Sequence, residues 1–168
     1  TAEIVTAAVK LAKKAVGDRA LVAVDIGPLG ELLEPMGRLT FESAYELFSE
    51  IAEAGAAAGA DLAVIETMTD LYETKAALLA VKEKTDLPVL VTMSFEASGR
   101  TFTGCTAESM ARTLEGLGAD AIGVNCSVGP DQMGEVLKTI CRCTRLPVIE
   151  KPNAGMPDPV DGSYSMGP

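Results

Sequence analysis

The chain is predicted to fold as a parallel α/β domain, and three observations predict it. Helical and extended segments alternate from end to end. The extended ones are near-continuous apolar runs, the pattern of strands buried beneath helices. Two short phrases also recur, each just before an extended run: GAD at 59–61 and 118–120, LPV at 87–89 and 146–148. Their common offset of 59 residues is the length of two strand–helix units.

The elements follow in order. Residues 3–16 place Ile4, Ala8, Leu11 and Ala15 on one stripe at helical spacing, and Gly17 and Asp18 stop that helix. ALVAVD at 20–25 is a short buried strand. Thr40 is placed to cap a second helix, FESAYELFSEIAEAGAAAG, with Ser43 where a capping box would carry Glu. DLAVIE at 61–66 is the next strand, and a helix runs from Asp70 to Lys84. PVLVTMSF at 88–95 is the third strand; Thr106 and Glu108 open a helix that ends at Leu117. DAIGVN at 120–125 is the fourth strand, Pro130 opens the last helix to Thr144, and PVIEKP at 147–152 is the fifth strand.

Polar residues end nearly every strand: Asp25, Glu66, Ser94 with Glu96, Asn125 with Cys126, and Asn153. In a barrel all such ends meet at one mouth, whereas an open sheet uses chiefly those at its switch point. The pattern favours a (β/α)8 TIM barrel with five of its strands present. A complete five-strand flavodoxin-like sheet stays open as the rival.

Composition narrows the chemistry. With 14 basic against 24 acidic residues the chain carries a net charge of −10, which argues against nucleic-acid or anionic-membrane partners. No run of about 18 apolar residues offers a membrane span. There is no histidine, so the commonest general base and any histidine-containing zinc site are excluded. Four cysteines without a secretory signal point to reduced thiols and a cytoplasmic setting. The start at Thr1 and the end at Ser163–Pro168 are those expected of a piece of a longer chain.

Cys126 is the chief candidate. A strand cysteine is usually an inert filler. This one sits where the apolar run ends, between Asn125 and a glycine-rich turn, with Gly123 and Gly129 leaving room for close approach. A thiolate there is a nucleophile or a soft-metal ligand. Cys141 and Cys143, two apart on a helix, diverge too widely to chelate one ion, and Cys105 fills space in a loop. Glu66, closing an otherwise apolar strand, either caps the next helix or binds a substrate ammonium. Asp25 and Asn153 divide between turn formation and ligand contact. Neither Walker-A nor GxGxxG spacing occurs.

Taken together, DIGPLGELLEPMG, IETMTDLYETKAALLA, TMSFEASGRTFTGCT, GADAIGVNCSVGP and KPNAGMP resemble the homocysteine-binding barrel of the cobalamin-dependent methionine synthases. The resemblance is collinear over essentially the whole chain. GVNC and PNAG are shared with the wider homocysteine S-methyltransferase family, the betaine-dependent enzymes included; the DIGP loop is closer to the cobalamin branch.

What the resemblance implies is specific. The family's barrel holds one Zn2+ on three cysteine thiolates, and homocysteine sulfur takes the open position. The first ligand corresponds to Cys126. The other two form a Cys-Cys pair in a GGCCG motif, which this chain lacks. Residues 1–168 are therefore expected to be a partial domain covering barrel strands 3 to 7, without strands 1, 2 and 8. Glu66 corresponds to the glutamate for the homocysteine amino group; Asn125, Asp25 and Asn153 are further substrate-binding candidates. The expected reaction is methyl transfer to the homocysteine thiol, giving methionine, and it needs no general base from this chain. The donor is methylcobalamin recharged from methyltetrahydrofolate, or alternatively S-methylmethionine or betaine. Cobalamin belongs to the parent enzyme only, whose cobalamin-carrying and folate-binding modules are the expected partners. An incomplete barrel is expected to self-associate and, alone, to hold zinc weakly. The rival from another class is a non-catalytic five-strand α/β binding module.

Overall fold

The computed structural model describes residues 1–126, 128–155, 157, 158 and 160–164. Helix α1 (Ala2–Val16) leads to β1 (Ala23–Ile26), and four more pairs follow. These are α2 (Phe41–Ala57) and β2 (Leu62–Met68), α3 (Leu71–Lys84) and β3 (Val89–Met93), α4 (Ala107–Gly116) and β4 (Ala121–Asn125), and α5 (Pro130–Cys143) and β5 (Val148–Lys151). Each element foreseen from the sequence is present, its ends moved by at most three residues.

The sheet is wholly parallel, with spatial order β1-β2-β3-β4-β5. A flavodoxin-like sheet has order 2-1-3-4-5, so that rival is excluded. Right-handed crossovers that always step the same way put α2, α3, α4 and α5 on the same face. Burial agrees: Val24, Ile26, Ala63, Ile65, Val89, Val91, Ile122 and Val124 are buried on the helix side. The register aligns Asp25 with Val64, Val64 with Leu90, Leu90 with Ala121, Gly123 with Ile149 and Asn125 with Lys151. Paired residues in a parallel sheet share a face, so these line the opposite, helix-free side.

That side is concave. Lys151 on β5 donates from Nζ to Glu66 Oε2 on β2 at 2.7 Å. In a flat sheet, strands three places apart lie about 14 Å from one another, with side chains standing perpendicular. The contact forms because the sheet curls and its carboxyl ends converge.

The two recurring phrases do the same physical job twice. Gly59 and Gly118 adopt φ of 95° and 87° to end their helices, a region that disfavours a β-carbon. The aspartate two residues on ties neighbouring strands at the amino end of the sheet. Asp61 Oδ2 accepts from Val22 N (2.6 Å) and Lys13 Nζ (2.6 Å); Asp120 Oδ2 accepts from Val89 N (2.8 Å) and Lys82 Nζ (3.5 Å). At the LPV phrases, Thr85 and Thr144 accept the Leu87 and Leu146 N–H groups.

Helix α1 departs from the sequence expectation. Its inward stripe is Val5, Val9, Ala12 and Val16, while Ile4 and Leu11 are 76% and 69% exposed. The helix carries two adjacent apolar stripes, and periodicity cannot say which one meets the sheet. Ile4, Val5, Ala8, Val9 and Ala12 border an apolar groove beside β1.

The loop after β1 is held by a buried acid. Glu73, 3% exposed, accepts the Leu29 N–H on Oε1 at 2.7 Å. Burial pushes its carboxyl above the ordinary range, the Leu29 bond pulls it down, and the Asp70 charge pushes it up again. A raised folded pKa stabilises the fold fully below the unfolded value, and that contribution fades as pH rises through the folded value. Glu73→Gln keeps an acceptor for Leu29 and removes the titration. Between about pH 4.5 and about pH 8 its urea-unfolding free energy is expected to fall less than the wild type's, and to match or exceed it at the upper end.

Candidate active site

Two residues at the carboxyl ends of the strands have left-handed backbone despite bearing β-carbons: Thr67 (φ 61°) and Cys126 (φ 58°). Such a conformation costs a residue with a β-carbon of order 1–3 kcal/mol and persists only where surrounding contacts impose it. At Thr67 the cause is a bulge. Ile65 pairs with Val91 and Met68 with Met93, so Glu66 and Thr67 together face the single residue Thr92. Glu66 keeps the concave face of Val64 by strand alternation, and the extra residue returns Met68 to the buried helix side beside Met93.

Asn125 holds the two strained residues together. It is 1% exposed, and its side chain is fully engaged. Oδ1 accepts from Thr67 N at 2.9 Å and from Thr92 Oγ1 at 2.8 Å. Nδ2 donates to Thr67 Oγ1 at 2.7 Å and to Cys126 Sγ at 3.4 Å. Thr67 Oγ1 also lies 3.9 Å from the same sulfur. An amide is suited to this place because it offers both donors and acceptors in one plane. Ser94, buried beneath, donates to the Asn125 carbonyl at 2.9 Å.

Cys126 itself is half-buried. Its N–H donates to the Lys151 carbonyl at 3.1 Å, so one residue of β5 touches both the cysteine backbone and, through its ammonium, Glu66. The Glu66 hydrogen bond holds the Lys151 ammonium above its usual range, with further help from Asp25. Asp25 lies exposed on the edge strand, yet its carboxyl is pushed above the ordinary range, first by desolvation against the concave face and then by the charge of Glu66.

Of the residues singled out from the sequence, Asp25, Glu66, Asn125 and Cys126 thus gather at one mouth. Asn153 stands just beyond β5, its N–H donating to Val128 O at 3.3 Å. Ser127 and Met156 lie outside the described residues. The helix-capping alternative for Glu66 falls away, since Asp70 caps α3 by accepting from Tyr72 N and Glu73 N. Lys151, Thr67 and Thr92 were not singled out from the sequence. Lys151 had one faint signal, a polar residue closing an apolar strand; the threonines had none.

The remaining cysteines are elsewhere. Cys105 Sγ donates to Thr106 O at 3.3 Å in the loop before α4, and burial pushes its thiol up. Cys141 is exposed and Cys143 half-buried on α5. Among the described residues no three His, Cys, Asp or Glu side chains cluster as a metal site. Cys126 fits the role of one soft ligand to zinc, and the described residues do not complete the site by themselves.

Three likenesses bear on this arrangement. Residues 1–168 match the sequence model of a family described as homocysteine S-methyltransferase. The chain is 33% identical over 137 residues to the methionine synthase of Mycobacterium leprae and, at the same identity and length, to that of Mycobacterium tuberculosis. Those alignments cover 79% of the chain and 11% of either relative, so the chain spans about a tenth of their length. Crystal structures of the homocysteine methyltransferase MmuM from Escherichia coli, apo and metallated, give TM-scores of 0.79 and 0.78 at 23% and 22% identity. Each match covers 92% of the chain, and 61% and 59% of those structures. This likeness establishes the α/β fold with its parallel five-strand sheet.

Proposed function

The chain belongs to the homocysteine S-methyltransferase family, and from that premise we propose that it forms part of an enzyme that methylates the thiol of homocysteine to give methionine. The observation that carries this reading is the meeting of a half-buried thiol, Cys126, and a carboxylate, Glu66, on one concave mouth. Homocysteine needs a place for its sulfur and a place for its ammonium, two methylenes and a carbon apart.

In this reading Glu66 takes the ammonium by a charge-assisted bond, with Asp25 beside it as a second acceptor. Asn125 acts as a positioning residue, fixing the Cys126 sulfur and the Thr67 backbone rather than contacting substrate. Asn153 borders the mouth from the loop after β5. Zinc, when bound, supplies a Lewis acid that keeps a thiol ionised at neutral pH. Cys126 is this chain's ligand for it, and two more thiolates come from outside these residues. A (β/α)8 barrel in which the chain supplies the third to seventh strands also accounts for the apolar groove of α1 beside β1 and for the half-exposed concave face.

Methylcobalamin, recharged from methyltetrahydrofolate on separate modules, is the donor most consistent with the DIGP loop and with alignment to proteins named methionine synthase. The four cysteines are free thiols, which suits the cytoplasm. Among the described residues no helix is long and apolar enough to cross a membrane. Methyl transfer to homocysteine should be assayed in the intact enzyme with methyltetrahydrofolate plus cobalamin, S-methylmethionine and betaine in turn. Turnover with the first alone is expected. Turnover with either of the others alone replaces the donor, and no methylated product with any of them overturns the reading.

A further inference from the structure

We propose that Lys151 is a two-position residue, neutralising Glu66 in the empty mouth and turning onto the α-carboxylate when an amino acid binds. The inference rests on the homocysteine reading of the mouth and adds the group that recognises the other end of the substrate.

The geometry is that of a stand-in ligand. The Lys151 ammonium occupies the place on Glu66 that a substrate ammonium would take, at 2.7 Å from Oε2. Both cannot hold that position, so a ligand ammonium seated on Oε2 displaces the lysine. A displaced ammonium needs a new partner, and an α-amino acid brings one: its carboxylate sits on the same carbon as its ammonium. The Lys151 side chain is 59% exposed and flexible, so its movement requires little desolvation. Its backbone does not move with it, because the Lys151 carbonyl accepts the Cys126 N–H at 3.1 Å. The pivot is therefore anchored beside the thiol, within reach of any ligand whose sulfur lies against Cys126.

Charge balance favours the exchange over simple eviction. Empty, the mouth holds Asp25 and Glu66 against one lysine. With a zwitterion bound, Glu66 and Asp25 share the ligand ammonium while Lys151 pairs with the ligand carboxylate, and no charge is left without an opposite neighbour. An amine lacking the carboxylate gains only the first half of this arrangement and must still displace the lysine. The mouth thus discriminates α-amino acids from plain amines by a residue that faces the carboxylate only once the amine has arrived.

Calorimetric binding to the zinc-loaded intact enzyme tests this, with L-homocysteine and its decarboxylated analogue 3-aminopropane-1-thiol as the two probes. Lys151→Met keeps the apolar stem and removes the charge. It is expected to weaken homocysteine by roughly 5–10-fold, the low end for a charge-assisted bond at an exposed site. The same substitution leaves the analogue unchanged or tightens it, because a competitor for Glu66 has gone. Lys151→Arg restores homocysteine binding to within about 3-fold, since a guanidinium also pairs with carboxylate. Equal shifts for both probes, or no shift for either, overturn the proposal and leave the homocysteine reading standing. No binding of homocysteine to the wild type sinks both.

Discussion

Replacing Cys126 by alanine in the intact enzyme is expected to lower kcat/KM for methyl transfer to homocysteine by a factor on the order of 10³ or more, and to deplete bound zinc. The size follows from what the substitution removes. A metal held by thiolates loses affinity steeply with each one deleted, because the ligand set and the ion's charge are matched. No neighbour can substitute: Cys105 lies in the loop before α4 with its thiol bonded to Thr106 O, and Cys141 and Cys143 ride on α5. Cys141→Ala, on the exposed face of that helix, should leave zinc content and rate unchanged. Metal analysis alongside steady-state kinetics checks both variants together. Full zinc and full rate in Cys126→Ala would remove the sulfur from the mechanism.

The second large effect is on stability, at Gly123. A β-carbon built there would overlap the backbone carbonyl of its register partner Ile149 and come within 2.9 Å of the Ile149 nitrogen. Backbone of a paired strand cannot yield as a side-chain tip can, so Gly123→Ala must push β5 away from β4. A loss of about 3 kcal/mol in urea unfolding is expected, the upper range for overpacking. The same shift parts the Cys126 N–H from the Lys151 carbonyl, so surviving protein should also bind homocysteine poorly. Gly116→Ala is the control: nothing lies within 4 Å of its added carbon, at the end of α4. That change should be neutral or slightly stabilising. Equal stability of the two variants would contradict the close β4–β5 approach.

Much of this architecture was legible in the sequence, for identifiable reasons. Strand–helix alternation is written in apolar runs and in stops such as Gly17 and Gly118, and both survive folding because they are local. The convergence of Asp25, Glu66, Asn125 and Cys126 followed from one rule: residues at strand carboxyl ends meet when a parallel sheet curls. The face that α1 buries was not legible, since Ile4 and Leu11 are as apolar as Val5 and Val9. The Glu66–Thr67 bulge was also hidden, because an extra residue in one strand shows only against its neighbour's register. Lys151 sits 85 residues from its partner Glu66, and no local pattern announces a pair at that separation. For Asn125 the sequence placed the residue correctly, while its engagement with Thr67, Thr92 and Cys126 depends on strands β2 and β3 arriving beside it.

The most direct measurement is X-ray absorption at the zinc edge of the intact enzyme, with and without homocysteine, on wild type and Cys126→Ser. A sulfur-rich shell that gains one sulfur on adding homocysteine, and that holds one protein sulfur fewer in the variant, is the predicted result. The same number of protein sulfurs around zinc in Cys126→Ser would contradict it.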